Sequence, residues 1–358
     1  MKNLRKFVML AAPRGAAFAL TLMIYGLFIA LQAHNPLTVF NEMWQGAFGS
    51  RFAWSSTLSR ATPILLTSMA TLIPAQLGLI LIGNEGVWLL GGLTTVMTSL
   101  LLKDFPQPFA WILMFLSAFV VGGSWLMIAG AGKQWRDVDP TISSLLLSYI
   151  ALACFLFLVE GPFRDPSSLN KPSTYSVPEH LRVGQIPGLG VHWGLVVGIV
   201  SAVIIFFLVY RTTFGFQSRV IGGNIRTASL LGLPQNFFIL AGCFLGGGLA
   251  GVAGGLEVAA IHGNANASLY SGVGFSGILA AYVARHNPLA VILVALLLGG
   301  IESSGDLIQR RFGFSNASVD VFQGLLFLMI LVAESWERFI PVKSRKMAND
   351  ILNKEVAS

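Results

Sequence analysis

The sequence predicts an all-α polytopic membrane protein. Of its 358 residues, 54% are hydrophobic and only 11% are charged, whereas an ordinary soluble domain has about 25% charged residues. The mean hydropathy is +0.72. Several apolar runs reach the roughly 20 residues that a helix needs to cross a bilayer. We therefore predict about ten transmembrane helices.

Polar interruptions set the limits of these spans. The basic start of the chain could imitate a signal peptide, but the apolar run that follows is longer than the roughly 7–15 residues of such a signal, so we predict a retained first helix. One transmembrane domain is expected over residues 1–340, followed by a polar tail over 341–358. The predicted spans cover approximately residues 15–33, 61–76, 87–102, 110–130, 142–159, 192–210, 237–258, 275–283, 289–300 and 319–335.

Two hydrophilic segments interrupt the apolar sequence most clearly. Residues 160–190 contain five prolines and charges of both signs. They cannot lie in lipid, because their backbone groups would lack hydrogen-bond partners, so we predict an external loop. Residues 211–235, here called the basic segment, contain three arginines and no acidic residue. We expect the basic segment to be helix-prone and exposed to the cytoplasm.

The distribution of basic residues predicts the orientation. If both termini are cytoplasmic, fifteen of the 23 Lys and Arg residues fall on the inner side, as the positive-inside rule requires. The basic segment and the tail are then cytoplasmic, and residues 160–190 are external. Arg310 and Arg311 oppose the rule, since they fall in a predicted outer loop together with Glu302 and Asp306.

Residues 83–86, Gly-Asn-Glu-Gly, interrupt a hydrophobic run with poor helix formers. A carboxylate inside a membrane costs about 3 kcal/mol on insertion scales. Glu85 must therefore face water, a partner group or the membrane surface. A tight turn between two helices and a broken helix lining a solute path both fit this pattern. Asn84 and Glu85, with Glu257 at the end of a later span, are the candidate residues of a translocation path.

The seventh span is rich in glycine at four-residue spacing, which lets helix backbones approach closely in lipid. We predict close helix packing at these positions. The glycines concerned are Gly242, Gly246, Gly247, Gly251 and Gly255.

The sequence offers no catalytic or metal-binding motif. It has no GxxxxGK[ST] phosphate-binding loop, no HExxH or GxSxG, and no Cys/His cluster. We predict no catalytic residue, no metal site and no cofactor bound by this chain. Its net charge of +7 does not argue for nucleic acid, because positive-inside bias also produces a basic excess. The sequence indicates transport rather than chemical conversion.

Four motifs resemble those of permeases from bacterial ABC importers for simple sugars and nucleosides. Residues 82–86 resemble the family's NIGxEG, although Leu81 and Val87 depart from it. Residues 139–151 resemble its NEVIsTlmLNYIA, with Ser148 in place of Asn. Residues 274–278 followed by 285–288 resemble its GFxGIaxAllgrnhP. The basic segment resembles R..FG..xRaxGxNxxaAxxxGi at Arg211, Phe214, Gly215, Arg219, Gly222, Asn224, Ala228, Gly232 and Leu233.

The resemblance implies a ten-helix permease of the type II importer architecture in the bacterial inner membrane. It implies four kinds of partner: an ABC ATPase subunit that uses ATP, a periplasmic or lipoprotein substrate-binding protein, a second permease forming a heterodimer, and membrane lipid. The transported solute is then a small neutral polar molecule such as a nucleoside or a simple sugar. An ion-coupled secondary transporter, with Glu85 and Glu257 in broken helices, is the alternative.

Under this resemblance the basic segment couples the permease to its ATPase. The implied coupling residues are Arg211, Phe214, Gly215, Arg219, Gly222, Asn224 and Gly232. We expect the amphipathic positions Val220, Ile221, Ala228 and Leu231 to dock a short helix into a groove of the partner. Gly222 and Gly223 would permit a turn between two segments.

Overall fold

A computed structural model describes residues 2–168, 171–315 and 317–339, and the side chains of the two ends only from residue 15 and as far as residue 333. The predicted tail, residues 341–358, lies outside the described residues. The described residues form thirteen α-helices and no β-strand. The helices are α1 (Lys2–Leu31), α2 (Pro36–Phe48), α3 (Arg51–Gln76), α4 (Asn84–Leu101), α5 (Gln107–Arg136), α6 (Pro140–Glu160), α7 (Gly194–Arg211), α8 (Thr213–Gly223), α9 (Ile225–Leu230), α10 (Gln235–Glu257), α11 (Val273–Val283), α12 (Pro288–Phe312) and α13 (Ala317–Phe339).

Each of the ten predicted spans corresponds to one helix. These ten are α1, α3 to α7 and α10 to α13. The remaining three are short helices, α2 before α3, and α8 and α9 within the basic segment. An all-α polytopic fold is therefore confirmed.

Hydropathy alone identifies fewer spans than the fold contains. Five described helices are long and apolar enough to cross a membrane by themselves, or six if the sharply bent pair α1 and α2 counts as one span. The helix α3 is not among the five, although every residue from Ala61 to Pro74 is buried. Protein rather than lipid surrounds this part of α3, so its threonines and serines find partners inside the fold.

The chain separates into two compact units. The larger unit, Ala47–Ser303, is built around α10, which packs against α3, α4 and α5. In the same unit, α11 and α7 pack against α3, and α6 packs against α4 and α5. The interior of this unit therefore consists of α3, α4 and α10.

The smaller unit comprises Met1–Gly46 and Ser304–Ser358, and in it α1 packs against α13. The buried ring of Tyr25 lies 4.8 Å from that of Phe322. Arg311 forms an ion pair with Glu42. This pairing neutralises one of the two arginines that oppose the positive-inside rule.

The predicted polar loop around Glu302, Asp306, Arg310 and Arg311 is wrong. These residues lie in the last turns of α12, which continues to Phe312. Gly313, with φ +71°, follows the helix end. The apolar run stops near Gly300, but the sequence contains no proline there, so the helix continues into polar sequence.

The long connection between α6 and α7 is largely irregular. Its described residues, 161–168 and 171–193, contain one 3₁₀ turn, Glu179–Leu181. The backbone N–H of Thr174 donates to the Ala265 carbonyl at 3.0 Å, and that of Val177 donates to the Gly263 carbonyl at 2.7 Å. The connection is thereby attached to the segment that follows α10.

The five predicted packing glycines of α10 lie where this helix meets α3, α4 and α5. A Cβ at Gly251 would overlap the Ala118 carbonyl oxygen of α5, and one at Gly246 would lie 2.6 Å from the Ala70 carbonyl oxygen of α3. A Cβ at Gly91 in α4 would overlap the Gly251 backbone. The helices therefore approach each other at distances that only glycine permits.

We expect Gly251→Ala to destabilise the protein by about 1–3 kcal/mol, because the added methyl forces α10 and α5 apart. The matched control is Gly324→Ala in α13, where no atom lies within 4 Å of an added Cβ. Thermal unfolding in detergent measures both variants. Equal melting temperatures for Gly251→Ala and the wild type would show that the helices can separate at little cost.

Candidate functional site

The connection between α3 and α4, residues 77–83, is a non-helical and largely buried segment. Leu79 is 5% and Leu81 2% exposed. The backbone of Ile82 donates to the Ser144 Oγ of α6 at 2.9 Å, and that of Gly86 donates to the Ser148 Oγ at 2.7 Å. Hydroxyls of α6 thus satisfy backbone groups that helix geometry leaves unpaired. The two helices are therefore joined by a seven-residue, largely buried connection rather than by a tight turn.

The Glu85 carboxylate binds the N-terminus of a second helix. One oxygen accepts from the Gly272 N–H at 2.8 Å and the other from the Gly274 N–H at 2.6 Å. Those two residues form the first turn of α11, and Glu85 is only 1% exposed. The positive end of a helix favours an anion. The required partner group of Glu85 is therefore the backbone of α11.

Two glycines make this contact possible. Gly272 has a φ of +80°, a left-handed conformation that glycine adopts without strain. A Cβ at Gly274 would lie 2.6 Å from the Glu85 Cα. The GF motif beginning at residue 274 therefore needs glycine because the two backbones touch there.

Asn84 holds the same junction from the opposite side. Its amide nitrogen donates to the Thr67 carbonyl at 3.2 Å and to the Thr71 Oγ1 at 2.7 Å, both in α3. Beyond the junction, α4 packs mainly against α5 and α10, whereas α11 packs mainly against α3. The helices α4 and α11 therefore start close together and then pack against different partners, and Asn84 and Glu85 hold their starting ends in place. We call this point the helix junction.

Glu257 lies at the end of α10, where the helix continues as a π-helical turn, Val258–His262. Its Oε1 is 3.7 Å from the His262 Nδ1, while its Oε2 is buried without a hydrogen-bond partner. Arg60 of α3 and Glu302 of α12 interact electrostatically with it. All four residues are only partly buried, although the Glu257 Oε2 itself is enclosed; because of this enclosed oxygen we call them the buried polar cluster.

The buried polar cluster adjoins the helix junction through α11. The Ser276 Oγ, in the first turns of α11, donates to the Glu302 Oε1 at 3.2 Å. The sequence predicted Glu257 as a path residue but gave no role to Arg60, His262 or Glu302. Arg60 and Glu302 could have been noticed as charges at the ends of predicted apolar runs.

The basic segment folds into α8 and α9, which meet at Asn224. The Asn224 side chain caps α9 by accepting from the backbone N–H groups of Arg226 and Thr227 at 2.9 and 3.2 Å. The turn therefore falls at Asn224 rather than at the two glycines before it. Gly232, with φ +67°, follows the end of α9.

Two predicted coupling residues stabilise the corner between α7 and α8. Arg219 donates to the Val209 carbonyl, and its guanidinium lies 5.6 Å from the centre of the Tyr210 ring. A Cβ at Gly215 would overlap the Val209 carbonyl oxygen. Arg211 is the exposed last residue of α7. Arg219 therefore has a structural role in addition to any role in recognition.

The predicted docking face of the basic segment is wrong in part. Ile221 and Ala228 are buried within this chain, and Val220 packs against the same apolar cluster. Phe214 stacks on Phe238 of α10 at 5.1 Å. These side chains dock the segment onto its own membrane domain, because that domain offers the nearest apolar surface. Leu231 is exposed, at 64%.

The exposed apolar face of the basic segment consists of other residues. Leu230 is 89% exposed, and Phe216, Ile225 and Leu231 are also exposed. Sequence periodicity did not separate these positions from the buried ones, because both short helices are apolar on two sides. This face is available to a partner.

The basic segment touches the α3–α4 connection directly. A Cβ at Gly222 would overlap the Gln76 carbonyl oxygen and would lie 2.8 Å from the Gly78 nitrogen. Gly78 has a φ of +75°. Leu77, Leu79 and Ile221 share one apolar cluster. Movement of the basic segment would thus be transmitted to the segment that leads to Asn84 and Glu85.

This arrangement defines a class of protein. A polytopic helical membrane protein whose interrupted helices meet at a buried polar junction has the general design of a membrane transporter. The chain matches the permease component of the branched-chain amino acid transport system over residues 54–332. It belongs to that family, the permeases of type II ABC importers, and is a multi-pass transport subunit.

Characterised relatives agree with this assignment. The chain is 29% identical to a glucose ABC transporter permease of Haloferax volcanii, covering 87% of this chain and 85% of the relative. It is 26% identical to the guanosine ABC transporter permease NupP of Bacillus subtilis, covering 92% and 95%. It is 22% identical to the nucleoside ABC transporter permease NupB of Lactococcus lactis, covering 90% and 91%.

Replacement of Glu85 tests the helix junction. Glu85→Ala leaves two buried N–H groups of α11 without an acceptor, each costing about 1–3 kcal/mol, so we expect a large fall in thermal stability. Glu85→Gln keeps one acceptor oxygen, so its thermal stability should fall less. The matched control is Glu160→Gln, at the exposed end of α6. A melting temperature of Glu85→Ala equal to that of the control would refute the structural role.

Proposed function

We propose that this permease carries a small neutral polar solute, a nucleoside or a simple sugar, across the bacterial inner membrane, driven by ATP hydrolysis in a partner subunit. The observation that carries the proposal is the contact of Gly222 with Gly78. It connects a surface facing one side of the membrane to the helix junction inside it. A permease whose transport is powered by ATP hydrolysis in a separate subunit needs such a connection.

The relatives support the solute class, because their names specify glucose, guanosine and nucleosides. The predicted spans contain almost no fixed positive charge that could neutralise a phosphate group, and a buried unpaired phosphate would be costly. Uptake of the free nucleoside or sugar should therefore exceed uptake of its phosphate ester.

Three protein partners complete the proposed importer. An ABC ATPase binds the basic segment, a periplasmic or lipoprotein binding protein delivers the solute, and a second permease completes the membrane channel. Bacillus subtilis has two guanosine ABC transporter permeases, NupP and NupQ, and both are similar to this chain. Two different permeases for one solute favour a heterodimer. ATP binds the partner ATPase, and membrane lipid surrounds the exposed apolar side chains.

The competing proposal is an ion-coupled secondary transporter, which required Glu85 and Glu257 to bind an ion or a proton. Glu85 is already held by two backbone N–H groups, so it is not available for this role without release of α11. In proteoliposomes containing the assembled complex, uptake should require internal ATP and resist a protonophore. Uptake that a protonophore abolishes in the presence of ATP would favour the competing proposal.

Both termini and the basic segment are proposed to be cytoplasmic, with residues 160–190 periplasmic. Ser173 and Ser218 are buried and are unsuitable labelling sites, whereas Ser176 and Thr227 are exposed. In a background lacking cysteine, Ser176→Cys should react with an impermeant maleimide in spheroplasts. Thr227→Cys should react only after the membrane is opened. The reverse pattern would invert the topology.

We expect Leu230→Asp to abolish ATPase binding, because it places a charge at the most exposed residue of the apolar face. Leu230→Met keeps that face apolar and is the matched control. Co-purification of the ATPase and substrate-stimulated hydrolysis in nanodiscs measure the effect. Full stimulation in Leu230→Asp would show that the ATPase contacts another surface.

The proposed contacts of Arg219 and Asn224 require a separate comparison. Arg219→Glu adds repulsion against an acidic partner and also loses the bond to the Val209 carbonyl, whereas Arg219→Lys keeps a donor. The loss of a charged hydrogen bond costs about 1.5–3 kcal/mol, or roughly ten- to a hundred-fold in association. Asn224→Asp retains the α9 cap and should bind the ATPase better than Asn224→Ala. Wild-type stimulation in Arg219→Glu would restrict Arg219 to its structural role.

A further inference from the structure

Resting on the proposed function, we propose that the buried polar cluster is a solute-contact site, in which Glu257 accepts a hydrogen bond from a hydroxyl group of the transported molecule. Glu302 and Arg60 flank that contact, and His262 completes it. The proposal begins from the free hydrogen-bonding capacity of Glu257 and His262.

Two atoms of the cluster are buried without a hydrogen-bond partner, the Glu257 Oε2 and the His262 Nδ1. They belong to neighbouring side chains, because the Glu257 Oε1 lies 3.7 Å from the His262 Nδ1. An unpaired polar atom in a protein interior is costly and requires an explanation, such as a ligand that satisfies it. The Glu257 Oε2 is an acceptor without a donor, and a hydroxyl group of the solute can donate to it.

The same side chains are not fully enclosed by protein. The Glu257 side chain is 13% and that of His262 24% exposed, although most of their neighbours are buried. Both lie in the π-helical region that ends α10, and local π geometry often occurs at functional sites. The cluster is therefore neither a sealed ion pair nor an external surface.

The cluster has the chemistry of a site for polyhydroxylated solutes. Carboxylates accept from hydroxyls, a guanidinium donates to them, and an imidazole does either. A sugar or ribose diol both donates and accepts, so this combination matches it.

The position of the cluster connects solute contact to the moving parts of the chain. Glu302 accepts from Ser276 at 3.2 Å, and Ser276 lies in the first turns of α11. The same helix end is bound by Glu85, whose segment contacts the basic segment at Gly78. A solute that binds Glu302 would therefore act on α11. The ATPase would act on the same helix indirectly, through the basic segment, Gly78 and Glu85.

The test is uptake into proteoliposomes containing the complete transporter, with the binding protein saturated by radiolabelled guanosine, adenosine, glucose or ribose. For the solutes that the wild type carries, we expect Glu257→Gln to lower the maximal uptake rate about fivefold, because a neutral amide oxygen accepts a weaker hydrogen bond from the solute than a carboxylate does. Glu160→Gln should leave the rate unchanged. Glu302→Gln is the second variant, because its amide oxygen still accepts from Ser276 and should preserve the fold.

Analogues lacking one hydroxyl separate solute contact from structural damage. In the wild type, one such analogue should move more slowly than its parent compound. In Glu257→Gln or Glu302→Gln, that analogue and its parent should differ less in rate than they do in the wild type, because the amide oxygen accepts a weaker hydrogen bond from the hydroxyl than the carboxylate does. Variants that retain both the full rate and the full discrimination would overturn the solute site.

The outcomes also separate this inference from the proposed function. A wild-type complex that carries none of the four probes with ATP would refute both. Suppose instead that the wild type carries one of them, and that both variants reduce uptake of the parent and of every deoxy analogue by the same factor. That result would support the importer and refute the solute contact. Uptake by the wild type that follows a proton gradient instead of ATP would assign the cluster to ion coupling.

Discussion

The hydrogen bonds from the first turn of α11 to the Glu85 carboxylate are the interaction on which the interior of the larger unit depends. A carboxylate is costly inside a membrane protein, and helix ends carry unpaired N–H groups that are also costly there. Each group satisfies the other, and the positive end of the helix favours the charge. Two segments that would otherwise be unstable in lipid therefore stabilise one another.

Close backbone contact surrounds this junction and limits how it can move. Asn84 ties the junction to α3, Gly86 is bound by Ser148, and Trp88 donates to the Leu269 carbonyl at 3.1 Å. Glycines of α10 place its backbone against α3, α4 and α5. A tightly packed interior transmits displacement rather than absorbing it. Motion of the basic segment would thus be carried to the junction by Gly222 and Gly78.

The proposed coupling residues of this chain also have structural roles. Arg219 closes the corner between α7 and α8, and Asn224 caps α9. A variant at either position therefore combines two effects, which is why conservative replacements are needed beside disruptive ones. The exposed apolar face around Leu230 has no such double role, so it gives the clearer test of partner binding.

The sequence by itself determined the membrane class, the ten spans and the family. These depend on runs of apolar residues and on local motifs, and both are properties of neighbours in the chain. It also singled out Glu85, because an isolated carboxylate in apolar sequence requires a partner. The partner itself, the backbone of residues 272–274, could not be predicted, since it is nearly two hundred residues away and has no side-chain signal. Tertiary structure likewise decided which faces of α8 and α9 are buried, and that Arg60, Glu257, His262 and Glu302 form one cluster, because only the packing of distant helices brings these residues together.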